Sequence, residues 1–302
     1  DLDSSDGYYI EYEVDRYPDF FFFVTSIRDT LNHQEISLEE ITFPPQKLDS
    51  DLNYYNLFKP LACLVFKNCS FYCDNICFNY PKNDISFKNC NFQQGITLKG
   101  IPFEGGAIFE SCTISLLTIE NTKLSVAVFG QAGGYWPSTV SEVYIYNSTL
   151  EENFFISLSR LSKVQIVGSK FKGKFNLTGC YIEDLQVMDT VFEKTYNVSE
   201  SVVRHTNHEG VEFEDFALYE HATFGENNPL LSCEQFVVFE RVTFHKAANF
   251  RDVVFCLPIY LRNTTFLQTP TFLGSVFKSE AKRQTDRETF RIIKQSFVAV
   301  NN

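Results

Sequence analysis

Two hexapeptides decide the fold: Phe66-Lys-Asn-Cys-Ser-Phe71 and Phe87-Lys-Asn-Cys-Asn-Phe92. They lie twenty-one residues apart and share one grammar. A large apolar residue is followed, five positions on, by another, with a small residue two positions before the second. The same grammar recurs in Phe109-Glu-Ser-Cys-Thr-Ile114, Ile119-Glu-Asn-Thr-Lys-Leu124 and Ile145-Tyr-Asn-Ser-Thr-Leu150. It continues in Ile166-Val-Gly-Ser-Lys-Phe171, Leu177-Thr-Gly-Cys-Tyr-Ile182 and Val187-Met-Asp-Thr-Val-Phe192. Nearer the end it survives as Phe239/Phe244, Phe250/Phe255, Leu261/Phe266 and Phe272/Phe277. The small position is filled by Cys69, Cys90, Cys112, Thr122, Ser148, Ser169, Cys180, Thr190, Thr264 or Ser275.

A helix repeats every 3.6 residues and an amphipathic strand every two, so neither sustains a step of five. A chain that turns a corner about every five residues does. Four such corners close a square coil of about twenty-one residues, and coils stack at the roughly 4.8 Å strand spacing. Each turn then places the same side chain above the same side chain. The narrow interior holds one bulky residue per face, and the second inward position must be small. Asn or Gly just before the small residue suits the corner, where left-handed backbone is required.

This grammar resembles the pentapeptide-repeat family, whose members are right-handed quadrilateral β-helices. The resemblance spans roughly residues 62–277. It departs from the family in using Cys, Ser and Thr where Ala is favoured, and in often lacking Asp or Asn before the central residue. The expected fold is an all-β solenoid with coils of about twenty-one residues, an N-terminal cap segment and a C-terminal α-helix. Three segments follow: a cap over residues 1–60, the β-helix over 61–277, and a helix over 278–302 continuing into a further segment.

The ends of a solenoid expose unpaired edges, which a cap must cover. Residues 1–60 break the period, with Tyr8 to Val14 and Ile36 to Phe43 reading as strands. At the other end, Thr285-Asp-Arg-Glu288 has the form of a capping box opening a helix. Phe290, Ile293 and Phe297 would share its apolar face. Three stretches read as insertions: Gly130 to Glu142 with Tyr135 and Trp136, Glu193 to Glu212 with His205 and His208, and Gly225 to Glu234. Recognition commonly resides in loops on a regular scaffold. These four aromatic and histidine residues are therefore the candidate partner contacts.

Composition agrees with β structure. The 302 residues include 32 Phe and 15 Tyr against one Met and one Trp, and 44% are hydrophobic. The net charge of −12 divides as −9 over residues 1–60, −6 over 61–277 and +3 over 278–302. No basic face is present for a phosphate backbone, so direct nucleic-acid binding is not expected. No apolar run is long enough to span a membrane. An odd count of nine Cys fits a reducing cytoplasm better than a disulfide framework. The chain begins at Asp1 and stops inside a helical pattern, as expected of part of a longer protein whose remainder has room for a membrane anchor.

No catalytic, metal-binding or cofactor-binding set stands out. Cys69, Cys90 and Cys112 recur one coil apart on one inward face and read as small buried residues. The carboxylate pairs Glu151/Glu152, Glu183/Asp184 and Glu214/Asp215 are those a β-helix carbohydrate-active enzyme would have to draw on. The Asn-x-Ser/Thr triplets at Asn68, Asn147, Asn176, Asn197 and Asn263 arise from the repeat itself. The expected function is non-catalytic protein–protein interaction, as a scaffold or sensor. The resemblance implies one alternative, a DNA-mimicking modulator of a type II topoisomerase, and a homodimer through the C-terminal helix.

Overall fold

The computed structural model of the chain describes residues 36–40, 42–43, 64–71, 76–79, 85–93, 95–99, 107–121, 123–124, 127–129, 139–225, 236–278, 285, 287 and 289–293. They form two compact units, 1–139 and 140–302. Both are stacks of short parallel strands, so the chain is a β-solenoid.

In the first unit, Leu64–Lys67 pairs with Ile85–Lys88, which pairs with Ala107–Glu110. Phe66, Phe87 and Phe109 thereby stack, with ring centroids 5.0 and 4.9 Å apart and no exposure to solvent. Around the corner, Ser70–Phe71 pairs with Asn91–Phe92, and Phe71 stacks on Phe92 at 4.5 Å. One side chain over its equivalent is what the repeat predicts.

The first rung lies earlier than the sequence suggests. Ile36–Glu39 pairs with Leu64–Lys67 and Thr42–Phe43 with Ser70–Phe71, all in parallel. Residues 36–40 and 42–43 therefore stack on the coil that follows them, within the stretch expected as a cap. Leu38-Glu-Glu-Ile-Thr-Phe43 carries the step of five, and Glu40 occupies the left-handed corner (φ 57°) that Asn68 and Asn89 occupy in later rungs. Glu at a left-handed position disguised the repeat. Tyr8 to Val14 lies outside the described residues.

In the second unit the twenty-one-residue coil is explicit. Val164, Ile166, Ser169, Phe171, Phe175, Leu177, Cys180 and Ile182 are all buried: two inward residues on each of four faces. Two adjacent faces share one strand. Arg160–Val167 pairs with Tyr181–Met188, which pairs with Val202–Glu209. The corner between those faces is a shallow elbow rather than a break. The other two faces are the stacks Thr149–Leu150 to Thr265–Phe266 and Phe154–Ile156 to Ala248–Asn249.

Beyond Val202–Glu209 the shared strand divides. Thr223–Phe224 continues one face and Val237–Glu240 the other. Thr206 pairs with Val237, thirty-one residues on, so ten residues are added at the elbow. These are the expected departure near Gly225; residues 226–235 lie outside the described set.

The stretch Glu193 to Glu212 is no insertion. It contains Tyr196–Asn197 and Val202–Glu209 in unbroken register with the coil before it. Polar inward residues, Thr206 and His208, hid the repeat there. In Gly130 to Glu142, residues 139–142 already belong to the strand Thr139–Tyr146, and Tyr135 and Trp136 lie outside the described residues.

The corners explain the small position. Asn68, Asn89, Asn147 and Asp189 have φ of 46–53°, and Gly168 and Gly210 have φ of 60° and 64°. Except at Val211, which follows Gly210, the next residue then turns its hydroxyl or thiol back onto a carbonyl two positions upstream. Ser148 donates to the Tyr146 carbonyl at 2.7 Å, Thr190 to Met188 at 2.8 Å and Cys69 to Lys67 at 3.2 Å. Ala would fit the space but leave that carbonyl without this donor.

Cys69, Cys90, Cys112 and Cys180 are free and buried. The hydrogen bond with Cys112 is the largest influence on Cys90; together with burial it pushes that thiol up to about 12, against an opposing influence of Cys69. Burial pushes Cys180 up to about 11. Thiolate is the reactive form, so both are inert in the native state. In timed alkylation read by mass spectrometry, half-buried Cys256 should therefore be modified well before Cys69, Cys90, Cys112 and Cys180. Early labelling of Cys90 would contradict the buried ladder.

The C-terminal helix, helical at residues 287 and 289–293, covers an open sheet edge. Thr285 Oγ1 accepts the Ile259 N–H at 3.1 Å, and Thr289 Oγ1 accepts the Leu261 N–H at 3.0 Å. Thr285, Thr289 and Ile293 are the buried face, at a spacing of four, while Phe290 packs its ring beside Phe277 at 5.8 Å. Thr285 and Thr289 thus supply acceptors to a strand that has no further strand neighbour among the described residues. Phe297 lies outside the described residues.

Candidate interaction face

The inward side chains are buried, so the surfaces offered to other molecules are the outward residues of the strands. One such surface is the shared sheet of the second unit, built on eight-residue strands. Register aligns Tyr144, Gln165, Gln186, Asn207, Val238 and Tyr260 in one outward column. A parallel column holds Glu142, Lys163, Asp184 and His205. Alternation along each strand puts these side chains outside because Val143, Ile145, Val164, Ile166, Leu185 and Val187 are inside.

Contacts up the stack hold this face in place. Tyr144 donates to Glu142 Oε2 at 3.0 Å and lies 6.0 Å from the Tyr146 ring. Burial, and then the neighbouring Glu142 carboxylate, holds the Tyr144 phenol above its ordinary value. Tyr146 donates to Gln165 Oε1 at 3.2 Å, and Gln186 Nε2 to Asp184 Oδ2 at 2.9 Å. Lys163 sits over the Tyr144 ring at 5.8 Å and Arg262 over the Tyr260 ring at 5.1 Å. The result is a half-buried surface of tyrosine, amide and paired charge. Tyr and Arg are the residues enriched where interfaces concentrate their energy.

Of the four candidates read from sequence, His205 lies on this face, half-buried. His208, three residues on, points the other way and is fully buried. It belongs to the core: its Nε2 is 3.0 Å from the Tyr196 hydroxyl and its Nδ1 3.2 Å from Thr206 Oγ1. It is therefore not a surface contact. Both histidines occupy a strand, not a loop. The column from Tyr144 to Tyr260 was missed because its members share no residue type; only the register between strands aligns them.

The carboxylate pairs are engaged with neighbours. Glu151 pairs with Lys172 at 3.0 Å, Glu183 with Arg160 at 3.7 Å, and Asp215 accepts from Thr195 Oγ1 at 3.3 Å. Lys170 pairs with Glu193 at 2.5 Å and Arg241 with Glu209 at 2.6 Å. Among the described residues no three His, Cys, Asp or Glu side chains are grouped to hold a metal ion, and no helix is long and apolar enough to cross a membrane.

No known family model matches the chain, and no curated protein is detectably similar to it.

Proposed function

We propose that the chain is an irregular pentapeptide-repeat-type solenoid that acts without catalysis, binding a protein partner through the outward face built on Tyr144, Gln165, Gln186, Asn207 and Tyr260. The observation that carries this reading is the alignment of these residues by backbone register. Tyr144, Gln165, Gln186 and Tyr260 are already held by Glu142, Tyr146, Asp184 and Arg262, so docking on them costs less rotamer entropy than docking on free side chains. Along the column Glu142, Lys163 and Asp184 charge alternates in sign. That pattern suits a protein surface with both signs and gives little support to a DNA mimic, which needs a track of like charge.

The test compares wild type with the double variant Tyr144→Ala/Gln186→Arg. Both positions are outward but half-buried, so folding stability should fall by about 1 kcal/mol per position. Partners captured from source cells by the wild type are identified, purified and titrated against both proteins. Binding should weaken ten-fold or more in the variant, about 1.4 kcal/mol. A partner whose affinity is unchanged by the substitutions, and which duplex DNA displaces, would remove this face from the function and restore the mimic.

A further inference from the structure

The aromatic filling of the second unit changes columns part-way along. In its earlier rungs one inward column holds Phe154, Phe175 and Tyr196, stacked at 5.3 Å each. In the next rungs that column holds Ala217 and then Ala248. The rings move to the adjacent inward column, as Tyr219, Phe250 and Phe272, stacked at 4.6 and 4.7 Å. The two ladders meet at Tyr196 and Tyr219, whose centroids are 5.8 Å apart. At this junction a ring gives way to the methyl of Ala217, so the packing constraint on a close-filled column is relaxed.

The junction is also where the core turns polar. Thr206, His208 and Tyr196 form a hydrogen-bonded chain, buried throughout. The Tyr219 hydroxyl is equally buried and meets no hydrogen-bond partner among the described residues. Buried tyrosine hydroxyls ordinarily find a partner. Phe250 and Phe272 fill the same column without a hydroxyl, so packing alone does not call for Tyr here.

We propose that the junction is a binding site for one water molecule, held between the hydroxyls of Tyr196 and Tyr219. Neutral imidazole has one donor and one acceptor nitrogen, and Thr206 and Tyr196 occupy both. If Nε2 accepts from Tyr196, the phenol oxygen keeps free lone pairs; if Nε2 donates, the phenol O–H still needs an acceptor. In either tautomer Tyr196 has capacity for one further bond. A water supplies donor and acceptor to both phenols, which is what a small polar site requires. The ligand is neutral, because burial lowers the basicity of His208 and raises both phenols, so none of these three groups carries a charge to hold an ion.

The test is a high-resolution crystal structure of the wild type, with thermal melts of Tyr219→Phe, Tyr196→Phe and the double variant. Tyr219→Phe keeps the stack on Phe250 and should fold. The expected result is one ordered water within hydrogen-bond distance of both hydroxyls. Tyr219→Phe should then melt below wild type, and the double variant should differ from the sum of the singles. Absence of solvent density between the phenols, with a higher melting temperature for Tyr219→Phe and additive shifts, would overturn the proposal. A hydroxyl buried alone is a cost that Phe removes.

Discussion

Replacing Phe192 by Ala should remove about 3–5 kcal/mol of stability, a large part of the roughly 5–15 kcal/mol that holds a typical domain. Phe192 is fully buried in the longest ring ladder among the described residues, between Phe171 at 4.9 Å and Phe213 at 5.4 Å, with Tyr196 edge-on at 4.8 Å. Its loss opens a cavity that neither neighbour can fill, because each is fixed by its own rung. In a solenoid each coil contacts only the next, so damage is nearest-neighbour in kind. Hydrogen-exchange protection should therefore fall first in Lys170–Phe171 and Glu212–Phe213, the strands paired with Val191–Phe192. Leu267→Ala, at a side chain 61% exposed, should change stability by no more than about 0.5 kcal/mol. Equal effects of the two substitutions in urea denaturation would mean that the ring ladder is not the source of stability.

The same ladder shows what was legible beforehand. A step of five between large apolar residues and a twenty-one-residue return were enough to expect stacked Phe66/Phe87 and Phe71/Phe92, buried thiols at Cys69, Cys90 and Cys112, and left-handed Asn at the corners. These features obey one constraint each, namely interior volume or backbone hand, and residue type reports it directly. The rung at 36–43 escaped because Glu40 accepts a left-handed backbone that Asn or Gly would have announced. The rung through His208 escaped because a polar side chain can replace an apolar one indoors once Tyr196 and Thr206 satisfy it. The face proposed for interaction was not legible at all. Solvent-facing positions carry no volume constraint, and Tyr144, Gln165, Gln186 and Asn207 become neighbours only through pairing across strands. Thr285 and Thr289 show a related limit: a helix N-terminus was visible, but not that its hydroxyls would serve the edge of Ile259–Arg262.

Lowering the pH should destabilise the wild type more steeply than a His208→Phe variant. Burial drops the His208 imidazole to about 3, from an ordinary value of about 6.5. The groups that face it are Tyr196, Thr206, Phe213 and Phe239, and none of them is a carboxylate that would welcome a proton. The folded state therefore keeps His208 neutral, while the unfolded chain binds a proton as the pH falls below about 6.5. Stability contributed by neutral His208 is fully present above that pH and is lost progressively between about 6.5 and about 3. The slope approaches about 1.4 kcal/mol per pH unit, or about 2 kcal/mol by pH 5. Phe fits the column, since His208 already stacks on Phe239 at 4.9 Å with an interplanar angle of 16°. Losing the bond to Tyr196 offsets the variant by a constant amount at all pH values. The carboxylates titrate alike in both proteins and cancel in the difference. The quantity to measure is the unfolding free energy of wild type minus variant, by urea titration at pH 7.5, 6, 5 and 4.5. It should be flat above pH 7 and fall below 6.5. A difference that stays flat down to pH 5 would mean that His208 reaches solvent or a charged partner, and that the core at Tyr196 is not closed.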